Sequence, residues 1–189
     1  MREMIDLHFL ADGLAVGARF PMQAAARLAG EHKITRVVDV RVEACDDAAV
    51  LALHGICLLH LPTHDTCAIS QRMIREGVSF VCRALERGER VLVHCQYGIG
   101  RSALLALCVL VARGRAPLEA LALAKDARPV VSPSPEQLEA FIEFCERHRG
   151  DAGAPWSVPT FHELAEIAYR DLDGRASREA ARAASTRAG

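Results

Sequence analysis

A cysteine and an arginine separated by five residues, two of them glycine, have the makings of a phosphate-attacking site. The stretch is His94-Cys95-Gln96-Tyr97-Gly98-Ile99-Gly100-Arg101-Ser102. Val91-Leu92-Val93 precedes it and Ala103-Leu104-Leu105-Ala106-Leu107 follows, so it reads as strand, tight loop and helix. Glycines accept positive φ, which lets the backbone of residues 96–101 curl with its N–H groups turned inward. Curled amides at a helix N-terminus form an anion nest. Arg101 can close that nest with a two-pronged contact to phosphate oxygens. Cys95 then sits in a positive field, which lowers a thiol's pKa from about 8.5 into roughly the 3.5–7.5 range and leaves a nucleophilic thiolate.

Cleaving a phosphate monoester also needs an acid to protonate the departing oxygen and a base to activate water. Asp65, in Thr63-His64-Asp65-Thr66, follows the apolar run Ile56–Leu61 and Pro62, thirty residues ahead of Cys95. A carboxyl group there faces the nest across one strand–helix unit. His64 is the alternative acid on the same loop. Asp46 and Asp47 lie a strand earlier and read as helix-capping residues.

Cys-x5-Arg-Ser after a strand-end His resembles the signature of the cysteine-dependent protein tyrosine phosphatases, most closely the dual-specificity branch. Arg128-Pro129-Val130-Val131-Ser132-Pro133 is similar to a turn of the same family. The resemblance covers roughly residues 7–148. It implies a cysteinyl-phosphate intermediate on Cys95, phosphate held by residues 96–101, Asp65 as general acid and Ser102 assisting thiolate expulsion. His94 is expected to order the loop through hydrogen bonds. No cofactor or metal is implied, because the nest supplies the positive field.

These residues need a scaffold that brings strand ends and loops together. Asp12-Gly13 between two short apolar runs is a hairpin signal. Residues 21–31 are alanine-rich and helical in character. Thr35–Val40 and Ile56–Leu61 read as buried parallel strands, with Arg41-Val42-Glu43 just past the first, where α/β sheets place ligand-contacting loops. Pro62 is expected to end the second. Ile74, Val78, Val81 and Leu85 make a helical stripe between Ser70 and Arg87, ended by Gly88. The helix after the cysteine loop is apolar nearly all round and must be buried. Pro117 starts another, and Ser134-Pro135-Glu136-Gln137 is a capped helix start. The expected fold is α/β: a central, mostly parallel sheet with helices on both faces, similar to the phosphotyrosine phosphatases.

The chain has 189 residues, 51% of them hydrophobic, enough for one core. We expect a catalytic domain over residues 1–148. A linker, a short helix and a flexible tail are expected over residues 149–189, which the family does not explain. Net charge is −1, which asks for neither nucleic acid nor an anionic membrane as partner. Met1-Arg2-Glu3-Met4 does not read as a signal peptide. Seven cysteines without Cys-x-x-Cys spacing read as reduced thiols, hence a cytoplasmic location. Cys57 and Cys67 are candidates to trap an oxidised Cys95 as a disulfide.

The expected partner is a phosphorylated protein or a small phosphate ester. Gln96, Tyr97 and Ile99 include no lysine, unlike the loops of phosphoinositide-selective relatives. No aromatic in Arg41–Asp47 builds a deep phosphotyrosine slot, which favours a shallow pocket. The alternatives are a phosphatase of inositol phosphates or nucleotides, and a phosphate-binding pseudoenzyme.

Overall fold

The computed structural model describes residues 4–170. Five strands form one sheet: β1 (Leu7–Ala11), β2 (Leu14–Gly17), β3 (Ile34–Arg41), β4 (Cys57–Thr63) and β5 (Arg90–His94), in the spatial order β1-β2-β5-β3-β4. The β1–β2 hairpin turns at Asp12-Gly13 and is antiparallel, while every other pairing is parallel.

Each face of the sheet buries its own core. Val91 and Val93 of β5 point to one side and Leu92 to the other, the period-2 alternation of a strand covered on both faces. Helices α1 (Ala25–Gly30) and α2 (Ala48–Ala52) cover the Leu92 side, with Phe20, Leu28, Val37, Leu51 and Ile56 in its core. Five helices cover the other side: α3 (Gln71–Glu86), α4 (Arg101–Ala112), α5 (Pro117–Ala127), α6 (Pro135–Ala152) and α7 (Phe161–Ala168). Helix α4 lies among the others and is buried from Arg101 to Val111, as its apolar circumference requires. Ser70 caps α3 through its hydroxyl, and Ser134 with Gln137 forms a full capping box on α6.

Two expectations need correction. Pro62 does not end β4, which runs through Thr63, paired at Arg41. β4 is an edge strand, so a residue without an N–H removes no bond to a further neighbour. The linker expected from residue 149 begins later, since α6 continues to Ala152 with Gly153 as its cap. Beyond it, α7 packs back onto the main core through Leu164 and Ala168, and Tyr169 Oη donates to the Pro133 carbonyl at 2.8 Å. The flexible tail expected at the end of residues 149–189 lies outside the described residues. No helix among the described residues is long and apolar enough to cross a membrane.

Candidate active site

The cysteine loop joins the C-terminal end of β5 to α4, at the sheet edge where parallel strands deliver their loops. Five consecutive carbonyls of this loop face away from Cys95. Gln96 O accepts from Arg19 N (3.3 Å), Tyr97 O and Gly98 O from the Arg128 guanidinium (2.9 and 2.8 Å), Ile99 O from Ser132 N (2.9 Å) and Gly100 O from Leu104 N (2.8 Å). In a trans peptide the next residue's N–H points opposite the carbonyl. The N–H groups of residues 97–101 are thereby turned toward the loop's interior. Gly98 N–H reaches the Cys95 thiol at 3.2 Å.

Two glycines make this path possible. Gly98 has φ +67°, and a Cβ there would meet the Gly17 backbone at 2.6 Å. A Cβ on Gly100 would collide with Gln137 Oε1. Gln137 is itself fixed, donating from Nε2 to Cys67 O at 3.0 Å. The start of α6 thus braces both the cysteine loop and the loop after Asp65, where Ser134 Oγ also donates to Thr66 O (2.6 Å) and Glu136 accepts from Ala68 N (3.0 Å).

Cys95 is 3% exposed, with Ser102 Oγ 3.3 Å from its sulfur. Burial pushes the thiol's pKa up, but the Ser102 hydroxyl and the amides of Ser102, Tyr97 and Gly98 together hold it below its ordinary value.

Arg101 is fully buried, and its side chain does not present the fork that the sequence suggested. Nη1 donates to Glu43 Oε2 (2.8 Å) and Thr63 O (2.8 Å), and Nη2 donates to Glu43 Oε1 (2.7 Å) and pairs with Asp65 Oδ1 (3.2 Å). Nε has no partner among the described residues. The outer fork therefore belongs to Glu43, and the edge left for an anion is Nε with the Nη2 hydrogen that Asp65 holds. Arg101 drives the Glu43 carboxyl down to about 2. Asp65 itself is 61% exposed on its side chain, on the loop after β4. His64 beside it is exposed and makes no ion pair among the described residues.

His94 does not bond to the loop it precedes. Its Nε2 donates to Asp46 Oδ2 at 2.7 Å, and its Nδ1 has no partner among the described residues. Asp46 Oδ1 accepts from Arg41 Nη2 (2.7 Å), and Arg41 also pairs with Asp39 through Nε (2.9 Å) and Nη2 (2.8 Å). All four side chains are buried. Asp39, Asp46 and His94 have ligand atoms close enough to hold a metal ion, but the Arg41 guanidinium already lies between the two carboxylates as their cation.

Sequence reading missed the parts Asp46, Arg41, Arg128 and Gln137 play here. Each is an ordinary polar residue in its local context, and only the partners reveal it. Arg128 is the widest of these links, since it also pairs with both oxygens of Asp6, 2.6 and 2.8 Å away.

The disulfide with Cys57 is contradicted. Cys57 opens β4 opposite Arg36, and Arg36 pairs with Val91, four residues before Cys95. That places Cys57 roughly 13 Å back along the strands and about 10 Å across two strand spacings. A disulfide needs Cα atoms about 4.4–6.8 Å apart.

The family model for the catalytic domain of dual specificity phosphatases matches residues 21–147. Dual specificity protein phosphatase 2 of Mus musculus is 35% identical over 104 residues, 49% of this chain and 33% of that protein. The phosphatidylglycerophosphate phosphatase PTPMT1 of Arabidopsis thaliana is 34% identical over 92 residues, 47% of this chain and 27% of that protein. The chain thus spans about a third of the length of the curated relatives it matches. Among solved structures, PTPMT1 in complex with PI(5)P superposes with a TM-score of 0.73 at 25% identity, covering 77% of this chain and 98% of that one. The active form of Tk-PTP gives 0.69 at 26%, covering 75% and 97%.

Proposed function

The chain belongs to the dual-specificity phosphatase family, and from that premise we propose that it hydrolyses phosphate monoesters on proteins through a cysteinyl-phosphate. The observation that carries this reading is the set of five outward carbonyls, which leaves five N–H groups around a thiol of lowered pKa.

Cys95 Sγ attacks phosphorus, and the bond from phosphorus to the leaving oxygen breaks. The amides of residues 97–101 and the Nε–Nη2 edge of Arg101 hold the equatorial oxygens. Asp65 leaves that edge as phosphate enters, takes up a proton from solvent and gives it to the leaving oxygen. Its carboxylate then takes a proton from water, the water oxygen bonds to phosphorus, and the P–S bond breaks. Ser102 donates its hydroxyl hydrogen bond to the departing thiolate. His94 steadies the strand end that carries Cys95. The amides and Arg101 supply the positive charge that a metal supplies in other phosphatases. We place the enzyme in the cytoplasm, a reading supported by seven free cysteines.

A second reading, a phosphatase of small or lipid phosphates, is favoured by the likeness to PTPMT1 proteins. The lysine-free loop and the acidic side chains of Glu43 and Asp65 beside Arg101 weigh toward substrates carrying one phosphate.

Turnover of nitrophenyl phosphate by the full chain tests the reaction. We expect vanadate-sensitive hydrolysis that Cys95→Ser abolishes while vanadate binding survives. Hydrolysis unchanged in Cys95→Ser overturns it. A panel of phosphopeptides against inositol phosphates then separates the two substrate classes.

A further inference from the structure

The cysteine loop is gripped at both of its ends by one segment. Glu43 holds Arg101, the residue that closes the loop, and Asp46 holds His94, the residue that opens it. Both carboxylates come from the turn between β3 and α2, three residues apart. We propose that Asp46 is a positioning residue for the Cys95 chemistry, acting through the His94 ring; the proposal rests on Cys95 being the nucleophile.

Three observations carry it. Asp46 divides its two oxygens between Arg41 Nη2 and His94 Nε2, each at 2.7 Å, and its own N–H donates to Asp39 Oδ2 at 3.1 Å. A carboxylate paired with a guanidinium can only accept, so Nε2 carries the ring proton. The ring is thus fixed in orientation by Asp46 and in place by the tilted Phe20 ring, 5.0 Å away centroid to centroid. Second, His94 Nδ1 is left buried without a partner among the described residues. Such nitrogens are uncommon in folded proteins, and this one leaves the Asp46 bond as the side-chain hydrogen bond that orients the ring among the described residues. Third, a buried group of two acids, an arginine and a histidine is a poor device for stability. Well-packed apolar side chains do as well or better. What the cluster adds is geometry: the end of β5, and with it the direction from which Tyr97, Gly98 and Ser102 address the sulfur.

The charged and titratable groups around this pathway are Asp39, Asp46 and Arg41 from the β3 side and Arg101 from α4, with Glu43 and Asp65 on Arg101. Loosening the His94 end misaligns the donors to Cys95 and weakens the thiolate. The readout is the rate at which iodoacetamide alkylates the Cys95 peptide, measured against pH on the full chain without substrate. In Asp46→Asn the midpoint moves up by about one pH unit, a tenfold loss of thiolate, within the coupling range for residues of one network. In a His94→Ala background the same substitution moves it no further, because the link is already cut.

A melting temperature that falls while the midpoint stays put overturns the proposal, as does an equal shift with and without His94. Should Asp46→Asn not fold, nitrogen NMR of histidine-labelled wild type decides. His94 must carry its proton on Nε2, and its signal must move when Cys95 is alkylated. A proton on Nδ1 alone, or a ring blind to the alkylation, overturns the proposal. These readouts do not depend on turnover, so failure of the phosphatase reading shows separately, in Cys95→Ser.

Discussion

Arg101 and Glu43 meet through two parallel contacts, Nη1 to Oε2 at 2.8 Å and Nη2 to Oε1 at 2.7 Å, with the guanidinium fully buried and the carboxylate side chain 41% exposed. This pairing fixes the plane of Arg101. It leaves Nε and one Nη2 hydrogen as the edge that a phosphate can use.

The Glu43 pairing makes stability depend on pH in a defined window. Hydrogen bonds from Arg101 depress the folded-state pKa to about 2 from an ordinary 4.5. A depressed carboxyl stabilises the fold above 4.5 and loses that contribution as pH falls toward 2. Glu43→Gln should therefore melt lower than wild type near neutral pH, by under about 1 kcal/mol given its exposure. Thermal melts of both proteins across pH check this: the gap must close below 4.5. A gap independent of pH means the contact has no electrostatic weight.

Arg101→Lys keeps the charge but has neither the Glu43 fork nor the Nε–Nη2 edge. We expect kcat/KM to fall by at least about two orders of magnitude, the scale for losing one oxyanion donor. A lysine variant with near-normal kcat/KM would show that phosphate is not held along this edge.

Asp65 holds Arg101 Nη2 and must release it before it can act as an acid. A good leaving group such as nitrophenoxide departs without a proton, whereas a serine alkoxide needs one. Asp65→Asn should thus slow phosphoserine or phosphotyrosine peptides far more than the nitrophenyl ester. His64→Ala should leave both leaving groups alike. Comparing both variants on both leaving groups identifies the acid, and a wild-type leaving-group dependence in Asp65→Asn shifts the role to His64.

Peroxide should not join Cys57 to Cys95, because strand register keeps them apart. Cys67, on the loop braced by Gln137, is the remaining partner from the sequence reading. Peptide mapping after mild peroxide should show either a Cys67–Cys95 bond or Cys95 as sulfinic and sulfonic acid. A Cys57–Cys95 bond recovered from folded protein would contradict the sheet order.

Local chemistry was legible from sequence wherever neighbours in the chain are neighbours in space. The strand, loop and helix around Cys95 are written in residues 91–107, and the caps at Ser70 and Ser134 and the full burial of α4 are just as local. Each depends on φ preferences, hydrogen bonds within a turn, or the 3.6-residue period. Arg101 shows where that reading stops. Its place in the loop was plain, but its partners Glu43, Thr63 and Asp65 come from the ends of β3 and β4, and only parallel pairing sets those ends side by side. Asp46 reads as a capping acid until the sheet brings His94 to it. Arg128 reads as part of a turn until its guanidinium reaches Gly98, Tyr97 and Asp6 at once. The type of chemistry is carried by short-range order, which the chain states directly. Which donors remain free for a ligand depends on buried charges finding partners across the sheet, and that is settled only when the strands close together.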